Sequence, residues 1–205
     1  MKLRELIISE LGDRIMIVLE DIETSRDNVT DKAKEHINDN DLILTYSTSE
    51  TLVTFFLEAR KTVRFELIVL ETAPTFEGHK TAKLLAEAGI QTNLVQDCSV
   101  FAVMSRVDKV IISAHGIMAN GGIIGHTGAL MIAHAAKAHQ VPIFAVGAIY
   151  KLTPLHPIDS LTYNEFLQPE KIFRLEDDDK IENIEVVVPA YDYVPPKMVS
   201  LILTN

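Results

Sequence analysis

Apolar residues in the first 22 positions recur every three or four residues, the spacing of one face of an α-helix. They are Leu3, Leu6, Ile7, Leu11, Ile15, Val18, Leu19 and Ile22. Charged residues occupy many of the intervening positions, so the pattern predicts an amphipathic helix. A second helix is predicted at about 28–38, with Ser25 or Asp27 as its N-cap.

From residue 41 the period changes, and short apolar runs alternate with helical patterns. The predicted strands are 41–47, 64–71, 92–97, 109–114 and 142–147, and the predicted helices between them are 49–61, 78–89, 98–107 and 125–139. The strands are almost wholly apolar, as expected where helices cover both faces of a sheet. The pattern predicts an α/β fold, a doubly wound, mostly parallel Rossmann-like sheet over 41–205, preceded by a short helical segment over 1–40.

After Lys151 the alternation stops. The stretch 152–185 is rich in proline and acidic residues and predicts a long excursion over the surface. Its acidic run Glu176–Asp179 is interpreted as a solvated loop, with a partner contact as the alternative. The stretch 185–196 predicts one more strand and a proline-stiffened turn, and the apolar run 198–204 predicts a final helix.

Charge and cysteine content narrow the classes of protein. The formal net charge is −10, which disfavours direct binding to nucleic acid. The chain has one cysteine, so no internal disulfide forms and a reducing compartment is expected. No apolar run approaches the roughly 20 residues that span a bilayer. The acidic residues Glu5, Glu10 and Asp13 within the first helix exclude a signal peptide, so we predict a cytosolic protein without membrane contact.

Candidate chemistry lies at the carboxyl ends of the predicted strands, where sheets of this kind bind ligands. Ser47, Glu71, Asp97 and His115 follow four successive strands. Two carboxylates and a histidine at one edge could serve proton transfer. The sequence alone leaves open whether they do.

The loop Asn120–Gly125 is predicted to open the alanine-rich helix with free backbone N–H groups, which attract phosphate. Its members Asn120, Gly121 and Gly125, with His126, do not have the spacing of a nucleotide-binding motif, and a tight backbone turn is the favoured interpretation. The spacing of Cys98 and the histidines matches no metal site, and no cofactor is predicted. Cys98 is interpreted as a small buried filler, and His134 and His139 as surface or partly packed residues.

The segment VDKVIISAHGIMANGGIIGHTGALMIAHAAKAHQVPIFAV (107–146) resembles a core shared by two groups of proteins. These are the regulatory subunits of eukaryotic translation initiation factor 2B and the aldose–ketose isomerases of sugar phosphates, such as methylthioribose 1-phosphate and ribose 1,5-bisphosphate. ETAPTFEGHKTAKLLAEAGIQT, SVFAVMSRVDKVII and YDYVPPKMVSLILTN resemble the beta branch of the regulatory subunits most. The resemblance covers about 28–205. The family's regulatory subunits begin with a longer helical domain than the 40 residues found here.

The resemblance also shows what is missing. The isomerases carry a cysteine in the loop after the first strand, where this chain has Ser47 and its neighbours. Their acid–base aspartate is replaced by His115 and the adjacent arginine by Gly116. A lysine near the phosphate site is replaced by His126, which is mostly neutral at pH 7. Losing several cooperating groups together predicts a retained scaffold without the reaction.

The function implied by the resemblance is therefore that of a non-catalytic regulatory subunit of the guanine-nucleotide exchange factor for initiation factor 2. The implied partners are the delta, gamma, epsilon and alpha subunits and initiation factor 2 itself. Interface candidates are Tyr191, Asp192, Tyr193, Val194, Pro195, Pro196 and Leu201, with ordinary core and edge packing as the alternative. An isomerase, or a relative with a vestigial pocket that binds a ligand without reaction, remains open. The isolated chain is expected to form a homodimer through the face that meets delta in the family.

Overall fold

The computed structural model describes residues 2–155, 164–173 and 184–205, so the acidic run Glu176–Asp179 lies outside the described residues. The helices are α1 (Lys2–Asp31), α2 (Ala33–His36), α3 (Glu50–Arg60), α4 (Glu77–Glu87), α5 (Val100–Met104) and α6 (Ala129–Ala138). The strands are β1 (Leu42–Thr45), β2 (Glu66–Leu70), β3 (Gln91–Val95), β4 (Lys109–Ser113), β5 (Gly116–Met118), β6 (Ile123–His126), β7 (Ile143–Val146), β8 (Leu152–Thr153), β9 (Tyr191–Val194) and β10 (Leu201–Leu203).

The main sheet has six strands in the order β10-β7-β4-β1-β2-β3, and every pairing between them is parallel. The chain winds outward from β1 in one direction to β3 and from β4 in the other to β10. The strand order therefore reverses between β1 and β4. This is the predicted doubly wound sheet, and the predicted α/β fold is confirmed.

Alternate side chains of the central strands enter two separate cores, one on each face of the sheet. Leu44 and Ile112 join one core with α5 and α6, whereas Ile43 and Ile111 join the other. The second core also holds residues of α3 and α4 together with Val29 of α1. Both faces of each central strand are thus buried, which explains why the strands are nearly continuous apolar runs.

The break between the first two helices lies later than the sequence pattern indicates. The prediction that Ser25 or Asp27 caps a second helix is wrong, because α1 continues through both residues to Asp31. The Ser25 hydroxyl instead accepts a hydrogen bond from the side-chain amide of Asn205, at 3.3 Å. Arg26 pairs with Glu50 of α3 at 2.8 Å, so contacts with the folded body support the helix where a cap was expected.

The predicted C-terminal helix is wrong as well, because residues 201–203 form β10. A short apolar run fits a strand as well as a helix, and length favours the strand. The edge of β7 provides the partner: Ile202 lies opposite Ala145, and the Ser200 amide donates to the Ile143 carbonyl at 2.9 Å. The last apolar segment is therefore a strand and not a helix, because it pairs with the edge of β7.

A second sheet, which the sequence pattern did not predict, lies at the carboxyl end of the main sheet. Its four strands have the order β8-β5-β6-β9, with β5 and β6 forming a hairpin. β9 pairs antiparallel to β6, which confirms the strand predicted within 185–196 but restricts it to Tyr191–Val194. Because β6 occupies Ile123–His126, the predicted helix 125–139 begins only at Ala129.

Candidate functional site

The candidate site is the cleft at the point where the strand order reverses. Ser47 follows β1 and His115 follows β4, so the two residues flank this point. Glu71 follows β2 and Asp97 follows β3, at the same edge of the sheet. All four residues thus lie at the carboxyl ends of their strands, and the function of the cleft depends on what each side chain binds.

Ser47 is fixed by its backbone. It has a positive φ of 65°, and its amide donates to the Thr72 hydroxyl at 3.0 Å. Its carbonyl accepts from the Thr81 hydroxyl at 3.3 Å. The Ser47 hydroxyl is buried and has no hydrogen-bond partner within the described residues. A serine becomes a nucleophile only when a base accepts its proton, and none is placed to do so here.

Asp97 holds the loop after β2 in place through hydrogen bonds. Its two carboxylate oxygens accept hydrogen bonds from the backbone amides of Thr72, at 3.0 Å, and Ala73, at 2.7 Å. The peptide bond between Ala73 and Pro74 is cis. The side chain of half-buried Glu71 makes no hydrogen bond within the described ranges, whereas its backbone amide donates to the Val95 carbonyl at 2.9 Å and its carbonyl accepts from the Gly78 amide at 3.2 Å. Of the three predicted proton shuttles, Asp97, Glu71 and His115, Asp97 is thus committed to holding the loop.

His115 and His126 flank one tyrosine of β9. The rings of His115 and Tyr191 stack with centroids 4.2 Å apart, and His126 lies 5.7 Å from the same ring. Burial lowers the pKa of both histidines, and the charge of Lys151 lowers each pKa further. Both imidazoles are therefore neutral at pH 7 and supply no positive charge for a phosphate group.

The start of α6 is occupied by a carboxylate of the protein itself. One oxygen of Asp192 accepts hydrogen bonds from the amides of Gly128, at 2.8 Å, and Leu130, at 3.1 Å. A helix N-terminus binds anions through such free amides. The Tyr46 hydroxyl donates to the Thr127 carbonyl beside it, and burial raises the pKa of that tyrosine. An anionic ligand would have to displace Asp192.

The loop expected to open the helix has a different position. Asn120 and Gly121 form the turn of the β5–β6 hairpin, and Gly121 has a φ of 82°. The Asn120 side chain donates to the Tyr193 hydroxyl at 2.8 Å and accepts from the Gly122 amide at 2.9 Å. The prediction that this loop offers free N–H groups at the helix start is wrong, because β6, which contains Gly125, intervenes.

Sequence reasoning missed a lysine that helps to complete the cleft. The ammonium group of Lys151 donates to the Ala114 carbonyl at 2.8 Å, and burial lowers its pKa. Tyr46 and Thr72 lie at the ends of predicted strands, and the structure shows that both organise the cleft through hydrogen bonds. Lys151 follows β7 in a short 3₁₀ turn, Ile149–Lys151. A lone lysine in such a turn carries no pattern, so only the structure reveals it.

The interface candidates lie on two edge strands. Tyr191, Asp192 and Tyr193 belong to β9 at the edge of the small sheet, and Leu201 belongs to β10 at the edge of the main sheet. Leu201 is exposed, whereas Val194 is completely buried in the core. The other two candidates are the prolines. Pro195 is half-buried and directly precedes the 3₁₀ turn at 196–198, and Pro196, the first residue of that turn, is exposed.

Cys98 is exposed in the 3₁₀ turn before α5, so its interpretation as a buried filler is wrong. His134 is exposed and His139 packs edge-on against Phe101 with ring centroids 4.9 Å apart, as predicted.

In the described ranges, no three His, Cys, Asp or Glu side chains come together in a group suited to a metal ion. None of the described helices combines the length and apolar character needed to cross a membrane.

Fold and site together define a doubly wound α/β domain whose strand-end cleft is organised by hydrogen bonds and ring contacts of its own side chains. Residues 6–205 match the model of the "Initiation factor 2 subunit family". The chain belongs to this family.

Curated relatives agree with that assignment. The chain is 44% identical over 193 residues to translation initiation factor eIF2B subunit beta of Dictyostelium discoideum, covering 94% of this chain and 50% of that protein. It is 37% identical to the beta subunit of Schizosaccharomyces pombe, covering 100% and 52%. Ribose 1,5-bisphosphate isomerase of Pyrococcus furiosus is 32% identical, covering 83% and 53%. The chain thus spans about half the length of the curated relatives it matches.

Solved structures show the same fold. The eIF2B beta structure from Chaetomium thermophilum has a TM-score of 0.72 at 27% identity, covering 96% of this chain and 53% of that one. A chain of the tetrameric eIF2B-beta2-delta2 complex from C. thermophilum has a TM-score of 0.80 at 22% identity, covering 95% and 60%. This chain shares its fold with both structures over nearly all of its length.

Proposed function

We propose that the chain is a non-catalytic regulatory subunit of the guanine-nucleotide exchange factor for translation initiation factor 2. The observation that carries the proposal is the state of the two aspartates at the cleft. Asp97 and Asp192 each bind two backbone amides, so neither carboxylate is free for proton transfer. The names of the beta-subunit relatives support the same assignment.

The proposed partners are the delta, gamma, epsilon and alpha subunits and initiation factor 2, in the cytosol. A solved complex of similar chains, titled eIF2B-beta2-delta2, supports a pairing with delta. The net charge of −10 favours basic protein surfaces over nucleic acid, because opposite charges steer partners together. Exchange activity would reside in other subunits, and this chain would act through assembly.

The proposed interface consists of two sheet edges. One is β9 with the following turn at Pro195 and Pro196, and the other is β10 with Leu201. A proline pair lowers the ordering cost of binding, because its backbone is already restricted. An edge strand also presents unpaired backbone groups to a partner. The buried Val194 supports the edge from within.

Co-purification with tagged delta, gamma, epsilon and alpha subunits and with initiation factor 2 tests the proposal. Leu201→Glu places a charge on the exposed edge of β10 and is expected to lower capture by its partner at least about tenfold, the equivalent of 1.4 kcal/mol. Leu94→Glu is the matched control, because Leu94 is also exposed, on β3 at the opposite edge of the same sheet. A folded chain that captures none of these proteins would refute the proposal.

A second candidate function is a ligand-binding relative, or an isomerase, with a vestigial pocket. The buried hydroxyl of Ser47, which lacks a partner in the described structure, favours it, since such a group is satisfied when a polar ligand binds. Calorimetric titration with ribose 1,5-bisphosphate and methylthioribose 1-phosphate, alongside a turnover assay, separates the cases. Heat that Ser47→Ala abolishes would indicate binding, and product would indicate catalysis. No heat and no thermal stabilisation would end this alternative.

A further inference from the structure

A cavity of about 290 Å³ lies at the amino ends of β2 and β3, whereas the cleft lies at the carboxyl ends of the strands. Residues from the ends of α3 and α4 and from the starts of the two strands line it. They are Asn40, Arg60, Arg64, Phe65, Glu66, Gly89 and Gln91. This volume is close to the lower limit for sites that bind small molecules.

Two guanidinium groups line this cavity, and neither Arg60 nor Arg64 has a carboxylate within ion-pair distance among the described residues. Arg14 and Arg26 differ, because each pairs with an acidic side chain. Acidic residues outnumber basic ones by 29 to 19 in this chain, yet two guanidinium groups and one carboxylate line this cavity. The pair concentrates positive charge where the chain as a whole is negative.

The walls of the cavity are held in place by backbone contacts. The Arg60 Nε donates to the Gly89 carbonyl at 3.3 Å, which anchors that guanidinium at the end of α4. The Arg64 amide donates to the Asp39 carboxylate at 2.8 Å, and its carbonyl accepts from the Asn40 amide at 2.7 Å. Buried Phe65 follows directly in the chain. The positions of both arginine backbones are therefore set before any ligand arrives.

The remaining side chains suit a small ligand with negative charge. Asn40 and Gln91 contribute neutral amide groups that can donate hydrogen bonds. Glu66 contributes one carboxylate to the lining, which leaves a net charge of about +1 from the three ionised side chains. A guanidinium group has a planar fork of donors that matches the oxygens of a phosphate or a carboxylate.

We propose that this cavity is a binding site for a compact oxyanion, a phosphate or carboxylate group held between Arg60 and Arg64. The site is separate from the strand-end cleft and does not depend on the proposed function. The group could belong to a free metabolite or to a side chain of a partner protein, since the recognised chemistry is the same.

Titration of the whole chain with inorganic phosphate, O-phosphoserine or acetate at constant ionic strength tests the proposal. NMR signals of the arginine Nε–H groups report the binding. Saturable shifts are expected for Arg60 and Arg64, and Arg64→Gln is expected to weaken binding at least about tenfold, as loss of a charge-assisted contact implies. Tighter binding of phosphoserine than of phosphate would favour a side chain as the source, and the reverse order a free anion.

Two variants serve as controls. Arg106→Gln removes an exposed arginine after α5 that does not line the cavity, and it is expected to bind as the unaltered chain does. Lys151→Gln alters the strand-end cleft, and binding is again expected to persist. Shifts that do not saturate, equal binding by Arg64→Gln and Arg106→Gln, or loss of binding only in Lys151→Gln would each overturn the proposal. Arg64→Lys is expected to retain part of the affinity, because it keeps the charge but loses the fork.

Discussion

Asp97 and Asp192 have different neighbours in the sequence but the same role in the structure. Each carboxylate accepts two backbone N–H groups, one pair in the loop after β2 and the other at the start of α6. An ionised carboxylate with two such donors stabilises the backbone around it. The single residues at the cleft thus hold its walls together, which fits a scaffold better than a reaction site.

Gly78 is required by a close backbone approach. A Cβ atom there would lie 1.9 Å from the carbonyl oxygen of Leu70, so Gly78→Ala must move α4 away from β2. We expect a loss of at least about 3 kcal/mol in the free energy of unfolding, measured by urea denaturation. Gly12→Ala is the control: Gly12 lies in α1 with nothing within 4 Å of the added carbon, and it should stabilise the chain by up to about 1 kcal/mol. Equal effects would contradict the reasoning.

Stability should fall as the solution becomes acidic, partly because of His115. Burial and the nearby charge of Lys151 lower the pKa of this histidine in the folded chain. The unfolded chain then binds a proton that the folded chain does not, so the contribution is fully present above the unfolded pKa of about 6.5 and is lost as the pH falls through the folded pKa. Urea midpoints between pH 7.5 and about pH 5 should therefore fall less for His115→Gln than for the unaltered chain. Parallel curves would show that His115 contributes nothing.

At the scale of elements, a nearly buried ion pair joins α2, β1 and β4. The ammonium group of Lys109 lies 2.7 Å from the Asp41 carboxylate and 2.9 Å from the His36 carbonyl. It also lies 5.9 Å from the centre of the Phe144 ring on β7. One lysine at the start of β4 thereby fixes the end of the helical segment against the sheet.

Lys109→Met should destabilise the chain by about 3 kcal/mol, because it leaves the Asp41 carboxylate buried without its partner. The double variant Lys109→Met, Asp41→Asn should recover part of that loss, since no charge remains uncompensated. Lys83→Ala breaks the exposed pair with Glu87 and should change stability little. Chemical denaturation of all three variants gives the comparison. A double variant that is as unstable as Lys109→Met alone would contradict the coupling.

Elements with a long apolar pattern and a clear partner were predictable, as β1, β2, β4 and β7 show. β10 was not, because its few apolar residues fit either state and the edge of β7 selects the strand. The small sheet was missed for a similar reason. Its strands β5 and β8 have three and two residues, too few to produce a period.

At the scale of the whole molecule, the exposed apolar residues of α1 form a notable surface feature of the described structure. Several large side chains are exposed there: Leu11, Ile15, Met16, Ile17, Val18, Leu19 and Ile22. Val18 and Ile22, together with Ile149 and Tyr150, border a cavity of about 540 Å³ at the junction of α1 with the body. Large apolar side chains exposed in such number are typical of an interaction site.

We expect the isolated chain to self-associate at micromolar concentration through this helix. Val18→Glu should shift sedimentation equilibrium toward monomer, whereas Leu94→Glu, the same change at an exposed residue of β3, should not. Because α1 also carries acidic residues such as Glu10 and Asp13, added salt should strengthen association by screening their repulsion. A strictly monomeric chain would contradict the expectation. A dimer unaffected by Val18→Glu would assign it to another face.

The sequence by itself determined the class of fold, since nearly continuous apolar strands alternating with helices fit only a sheet covered on both faces. It also located the strand ends that form the cleft. Only the tertiary structure decided what those ends bind: that Asp192 occupies the start of α6 and that His115 stacks on Tyr191. Periodicity reports which faces of an element are buried, because burial repeats along the chain. Contacts between residues 60 or more positions apart leave no such repeat in the sequence. They arise only when the folded chain brings those residues together.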